Sequence, residues 1–144
     1  MSTPGTPNIP AALDERGLPA GYPFRPELEI TPRDARGALA RAEILLVDVR
    51  TVEEWNASRV AGAMHVPLHE LESRFGEIED AAEDAGAVAF LCHFGSRSMK
   101  AALFARQRGL DDAVSVAGGI DLWSRAADPA VRRYERADNG WRVL

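Results

Sequence analysis

The only cysteine of the chain, Cys92, ends a short apolar run, Ala87-Val88-Ala89-Phe90-Leu91, and is followed by His93-Phe94-Gly95-Ser96-Arg97-Ser98. Met99, Leu103, Phe104 and the alanines between them then start a helical pattern. Strand, tight loop and helix in this order build an anion cradle at the carboxyl end of a strand. The loop's backbone N–H groups converge there, and the positive end of the helix points at the same spot. Such a setting favours the negative charge carried by a nucleophilic sulfur. Gly95 suits a loop position that needs a positive φ. Arg97 offers a fork of donors to an anion or to the loop's own carbonyls. A lone cysteine at the end of a buried strand is otherwise a small core hydrophobe. The Gly-Ser-Arg-Ser that follows, which a core strand does not need, puts a reactive thiol ahead of that reading.

Few other residues could join this chemistry. Asp48 ends the apolar run Ile44-Leu45-Leu46-Val47 and is followed by Val49 and Arg50. A buried carboxylate requires partners, so a structural ion pair or a loop anchor is the first expectation for Asp48 and Arg50. Both strand ends fall on one edge of a parallel sheet, which lets this pair support the Cys92 loop from beneath or beside it. His93 invites a Cys–His dyad, but neighbours leaving a strand point opposite ways. It is expected instead as an exposed rim residue. His65 and His69 are four apart with a proline between and no acidic ligand pattern, so no metal pair is expected. A single cysteine excludes an internal disulfide framework and a multi-cysteine zinc site. Trp123 reads as a core or rim aromatic, and the acidic run 77–84 as a solvated helix face.

The elements that must position these groups alternate along the chain. Leu28-Glu29-Ile30 is a short strand, and Thr31-Pro32 caps a helix marked by Ala35, Leu39 and Ala40. Residues 44–49 form a continuous apolar run suited to a parallel strand buried on both faces. Thr51-Val52-Glu53-Glu54 is a capping box for a short helix carrying Trp55. A brief strand ends at Pro67, one or two helical pieces fill 68–85, and strand 87–91 and helix 96–108 follow. Ala113-Val114-Ser115-Val116 is the last strand, and Gly118-Gly119 turns into a final helix. The pattern specifies an α/β fold: a mostly parallel central sheet flanked by helices on both faces.

With 144 residues the chain has room for one domain with a real core. We divide it into a proline-rich arm over residues 1–26, a domain over 27–126 and a tail over 127–144. The arm shows no helical or strand period and is read as disordered at its start and laid on the domain near Tyr22 and Phe24. A net charge of −5 with no basic block argues against nucleic acid. No run reaches membrane-spanning length and no signal pattern opens the chain, which points to a reducing cytoplasm.

Taken together, these residues resemble the rhodanese-like sulfurtransferase domain. The matching pieces are Val47-Asp48-Val49-Arg50 with Glu54-Trp55, and Ala61-Gly62-Ala63 leading to Val66-Pro67. To these are added Cys92 through Ser98 before an alanine-rich helix, and Ala117-Gly118-Gly119-Ile120 with Trp123. They occur in the family's order across roughly residues 28–126. One departure is Ser58-Arg59-Val60, where the family usually has Gly-His-Ile. The tail's Asp-Pro followed by Arg-Tyr at 128–134 is similar to the tails of some bacterial members, including those fused to sulfur-carrier activating enzymes.

The resemblance implies that Cys92 accepts a sulfane sulfur from a donor such as thiosulfate. The persulfide would be held by the backbone N–H groups of His93, Phe94, Gly95, Ser96 and Arg97, with the Ser96 and Ser98 hydroxyls adding donors. Arg97 would orient the donor or brace the loop, and Asp48 and Arg50 would support it. Cyanide or a thiol, small or on a sulfur-relay protein, would then take the outer sulfur, with no metal or organic cofactor. Two alternatives stay open. Cysteine phosphatases and arsenate reductases also close a cysteine loop on an arginine, but with one residue more than the four between Cys92 and Arg97. Some rhodanese-like modules serve only as binding or partner-specific relay domains.

Overall fold

The computed structural model describes residues 12–144. A five-stranded sheet in which every pairing is parallel runs through its centre, in the order β1-β5-β4-β2-β3. The strands are β1 (Glu29–Ile30), β2 (Ile44–Asp48), β3 (Met64–His65), β4 (Ala87–Leu91) and β5 (Val114–Val116). Five helices join or follow them: α1 (Pro32–Ala40), α2 (Val52–Ala57), α3 (Phe75–Ala82), α4 (Ser96–Gln107) and α5 (Gly119–Ala126). β4 occupies the middle and pairs with β2 along its length, from Ala87 beside Ile44 to Leu91 beside Asp48. The ends of β2 and β4 therefore lie side by side on one edge.

The apolar runs of β2 and β4 are buried on both faces because successive side chains alternate. Val47, Val49, Val88, Phe90 and Cys92 face one core with Phe75 and Ile78 of α3 and Ala101, Ala102 and Ala105 of α4. Leu46, Ala89 and Leu91 face the other, against Ala35 and Ala38 of α1 and Ile120 and Trp123 of α5. The small residues of α4 let that helix lie close over β4 and β5, which fixes where its first turn meets the end of the central strand. Thr31 accepts the Asp34 N–H at the start of α1, and Thr51 and Glu54 form the expected reciprocal box at the start of α2.

Two segments outside the alternating pattern are built into this frame. Residues 1–11, where the arm was expected to be disordered, lie outside the described residues. Leu18 is completely buried against Ala117 and Leu122, flanked by Leu13, Tyr22 and Phe24. The Tyr22 hydroxyl donates to Glu29 Oε2 (2.7 Å) and accepts from the Gly118 N–H (3.2 Å), tying the arm to β1 and to the turn before α5. At the other end the tail forms an antiparallel hairpin, β6 (Tyr134–Ala137) and β7 (Gly140–Val143). It sends Val131 and Tyr134 into the second core. A single buried leucine or tyrosine produces no period, so neither packing could be read from spacing.

Leu18→Ala is expected to lower unfolding free energy by about 2–5 kcal/mol, the range for deleting a buried leucine side chain. Urea unfolding of the two proteins measures it, and a change under about 0.5 kcal/mol would place the arm among ordinary surface segments.

Candidate active site

Cys92 leaves the end of β4 almost fully buried, with its Sγ turned into the loop that follows. The Gly95 N–H donates to Sγ at 3.0 Å, and the Ser98 hydroxyl lies 3.2 Å from it. Gly95 stands immediately before α4 with φ at +119°, a conformation that side chains rarely adopt. Ser98 Oγ is also 3.1 Å from the Gly95 carbonyl and 2.7 Å from Ser115 Oγ on β5. Each hydroxyl has one proton to give. When Ser98 donates to sulfur, Ser115 can donate to Ser98, so the pair supplies the sulfur without stranding a buried oxygen. Ser96 is exposed on the first turn of α4, and Phe94 is 62% exposed at the loop's tip.

The back of the loop rests on α5. Ile120 donates its N–H to the Cys92 carbonyl (2.8 Å) and Asp121 to the His93 carbonyl (3.2 Å). These are free donors of a helix's first turn, used here to hold two loop carbonyls. Such an approach needs Gly119: a Cβ there would lie 2.4 Å from the His93 oxygen and 2.6 Å from the Cys92 oxygen. The loop is thus clamped between the first turns of two helices.

Arg97 does not reach the loop carbonyls. Its guanidinium makes a two-pronged pair with Glu54 of α2, at 2.6 and 2.9 Å. Glu54 is buried, and Oε1 also accepts from the Thr51 N–H and hydroxyl, while Oε2 accepts from the Tyr134 hydroxyl at 2.7 Å. Burial alone would push the Glu54 carboxyl up, but the hydrogen bonds from Arg97 and Tyr134 outweigh it and hold it down at about 2. The Tyr134 hydroxyl in turn accepts from Arg50 Nη1 at 3.1 Å. Arg50 and Asp48 are both fully buried, paired at 2.7 Å, and Arg50 also donates to the carbonyls of Glu54 and Ser58. Burial works against the Arg50 charge, but the Asp48 contact more than restores it. So Asp48 and Arg50 lie beside the loop and reach Arg97 through Tyr134 and Glu54.

His93 departs from expectation. It is 7% exposed rather than a rim residue, because the C-terminal hairpin folds over it. Its ring stacks on Tyr134 (centroids 4.0 Å, 11° between planes) and meets Trp141 edge-on at 5.6 Å. Burial pulls its proton affinity below the usual histidine range. Its Nε2 has no hydrogen-bond partner, so no bond links it to Cys92 through that atom. His65 donates from Nε2 to the Arg50 carbonyl (2.8 Å), and its ring stacks on Trp55. Among the described residues no group of three His, Cys, Asp or Glu side chains could hold a metal ion. Above the loop opens a cleft of about 550 Å³ walled by Glu54, Arg97, His93, Phe94, Tyr134 and Trp141.

The sequence marks Glu54 as a helix cap and as one of the matching pieces, without showing the partner of its carboxylate, and gives no site role to Ser115, Tyr134 or Trp141. A capping glutamate already commits its carboxylate to one place, which is a weak signal that a cation shares it. The Tyr and Trp of the tail carried no such signal.

The profile of the family described as "Rhodanese-like domain" matches residues 31–126. The thiosulfate sulfurtransferase GlpE of Actinobacillus succinogenes is 33% identical over 106 residues, covering 74% of this chain and 92% of that protein. The probable adenylyltransferase/sulfurtransferase MoeZ of Mycobacterium tuberculosis is also 33% identical over 106 residues, and there the chain spans 26% of the longer protein. Among solved structures, the human single-domain sulfurtransferase TSTD1 superposes with a TM-score of 0.56 at 28% identity, covering 71% of this chain and 97% of that one.

The Glu54 carboxylate ties this site to pH. Its folded value of about 2 lies below the ordinary 4.5, so its contribution to stability is complete above about 4.5 and fades as pH falls towards about 2. The stability gap between wild type and Glu54→Gln should therefore be largest near neutrality and close over that acid range, as measured by urea unfolding at a series of pH values. A gap that does not change with pH would show that the ionised carboxylate is not what Arg97 and Tyr134 hold.

Proposed function

The chain belongs to the rhodanese-like domain family, and on that premise we propose that it transfers a sulfane sulfur through a persulfide on Cys92. What carries the reading is one arrangement. A lone cysteine sulfur follows the central strand, takes the Gly95 N–H at 3.0 Å, has the Ser98 hydroxyl at 3.2 Å, and belongs to the segment whose His93, Phe94 and Arg97 line the cleft. The named relatives support sulfur transfer in general.

In the first half-reaction the Cys92 thiolate attacks the outer sulfur of thiosulfate. A bond forms between the two sulfurs, the donor's S–S bond breaks, and its electron pair leaves with sulfite. The product is Cys92–S–S⁻, with the transferred sulfur as its outer atom. Loop N–H groups and the Ser98 hydroxyl stabilise its charge, as such donors do at any buried anion. In the second half-reaction cyanide or a thiolate attacks that outer sulfur, and the pair from the breaking S–S bond returns to Cys92. Atoms and electrons balance within the two steps, so neither a metal nor an organic cofactor enters them. Arg97, already half neutralised by Glu54, serves donor binding and the developing sulfite charge.

The short loop favours a single sulfur over a tetrahedral oxyanion, because four residues between Cys92 and Arg97 close a smaller ring than a phosphatase loop does. A sulfur-relay setting fits the relatives named adenylyltransferase/sulfurtransferase and sulfur carrier. The exposed Phe94 at the cleft mouth suits an acceptor thiol carried by a protein as well as a small one. Among the described residues no helix is long and apolar enough to cross a membrane. We place the reaction in a reducing cytoplasm, where an unpaired thiol persists.

Cys92→Ala is the test. Thiocyanate formation from thiosulfate and cyanide should fall to the rate without protein, while the melting temperature moves little, since a small side chain replaces a small one. Retained turnover would overturn the assignment. So would wild-type protein that hydrolyses an aryl phosphate faster than it transfers sulfur.

A further inference from the structure

The hairpin that begins at Tyr134 lies beyond residues 31–126, the span matched by the family profile, yet it supplies two walls of the cleft. Arg97 needs such help. A guanidinium on a long, rotamer-rich side chain holds one direction only when its fork is engaged. Glu54 engages it, but a carboxylate on a flexible stem must itself be fixed. Thr51 fixes one oxygen, with its N–H at 3.3 Å and its hydroxyl at 3.1 Å. The Tyr134 hydroxyl fixes the other at 2.7 Å.

Tyr134 is in turn the best-held side chain of the tail. It is 2% exposed, its ring is stacked on His93, and Trp141 meets it edge-on at 5.2 Å. Its hydroxyl has one proton, which goes to Glu54, and accepts from Arg50, which is locked onto Asp48. The hydroxyl is therefore the side-chain link between the rigid buried Asp48–Arg50 pair and the carboxylate that aims Arg97.

We propose that Tyr134 is a positioning residue: acting through Glu54, it holds Arg97 over the mouth of the Cys92 loop so that the arginine meets an anionic sulfur donor in one orientation. The step it serves rests on the sulfurtransferase reading above. The tail is then a working part of the site, and a chain cut before Tyr134 would keep the cysteine loop but lose the aim of its cation.

A double-mutant cycle tests this, with Tyr134→Phe, Arg97→Ala and the double variant in the full chain. Tyr134→Phe keeps the ring and its stacking and removes only the hydroxyl. The rate of Cys92 persulfide formation from thiosulfate should fall about 10- to 100-fold in Tyr134→Phe, the scale of small misplacements at a reacting centre. In the Arg97→Ala background the same change should have almost no further effect. Equal fold losses in both backgrounds would mean that Tyr134 acts by general packing, and would overturn the proposal. A second readout does not depend on activity. In wild type the Arg97 Nη–H groups that donate to Glu54 should give a distinct, slowly exchanging NMR resonance. It should broaden or vanish in Tyr134→Phe and in Glu54→Gln while the backbone amide spectrum keeps its dispersion. Should Tyr134→Phe fail to fold, Glu54→Gln alone decides: an unchanged Arg97 resonance there refutes the relay. Wild-type protein that takes no sulfur from thiosulfate would refute the functional reading, and the Arg97 resonance would still settle the positioning claim.

Discussion

The Glu54 carboxylate is the constraint on which the site depends. It is buried with a negative charge, and such a charge is tolerable only when both oxygens are satisfied. Here three elements converge to do so: Thr51 from its own helix cap, Arg97 from the first turn of α4 and Tyr134 from the C-terminal hairpin. Removing one partner of a buried pair costs about 3–5 kcal/mol, because the charge left behind has lost its compensation. The same requirement that stabilises the fold therefore dictates where α2, α4 and the hairpin meet, and they meet around the cleft. Asp48 and Arg50 extend the network into the sheet, with the ion pair at the end of β2 anchoring the side nearest the cysteine strand.

The cysteine loop is governed by a different rule. The Cys92 and His93 carbonyls face the first turn of α5, while the Gly95 N–H points at Sγ. The sulfur is thereby given one backbone N–H and one hydroxyl as partners. The close approach to α5 also explains the paired glycines before it, since a methyl group at Gly119 would occupy the space of the Cys92 and His93 carbonyl oxygens. The loop is held through its backbone, and the side chains of Phe94 and Ser96 are left exposed.

Much of this was readable from residue order. The parallel sheet follows from alternating apolar runs and capped helices, and the capping box at Thr51–Glu54 and the proline after Thr31 both form as the local chemistry demands. The placement of Cys92, Asp48 and Arg50 on one sheet edge follows from the crevice rule for parallel sheets. What could not be read is long-range and non-periodic. His93 was expected at a rim because nothing in the spelling of the tail says that Tyr134 and Trp141 return over it. Leu18 was invisible for the same reason, being one core residue in a stretch with no repeat. Glu54 was seen but given half its role, since a cap explains its backbone contacts and says nothing of Arg97.

The claim at the centre of this account is that sulfur resides on Cys92 between the two half-reactions. The most direct test is the intact mass of the wild-type protein before and after thiosulfate, followed by a cyanide chase and peptide mapping. A gain of one sulfur atom is expected on the peptide carrying Cys92, released quantitatively as thiocyanate when cyanide is added. An unchanged mass after thiosulfate and after other sulfane donors, or a sulfur carried on any peptide other than that of Cys92, would contradict it.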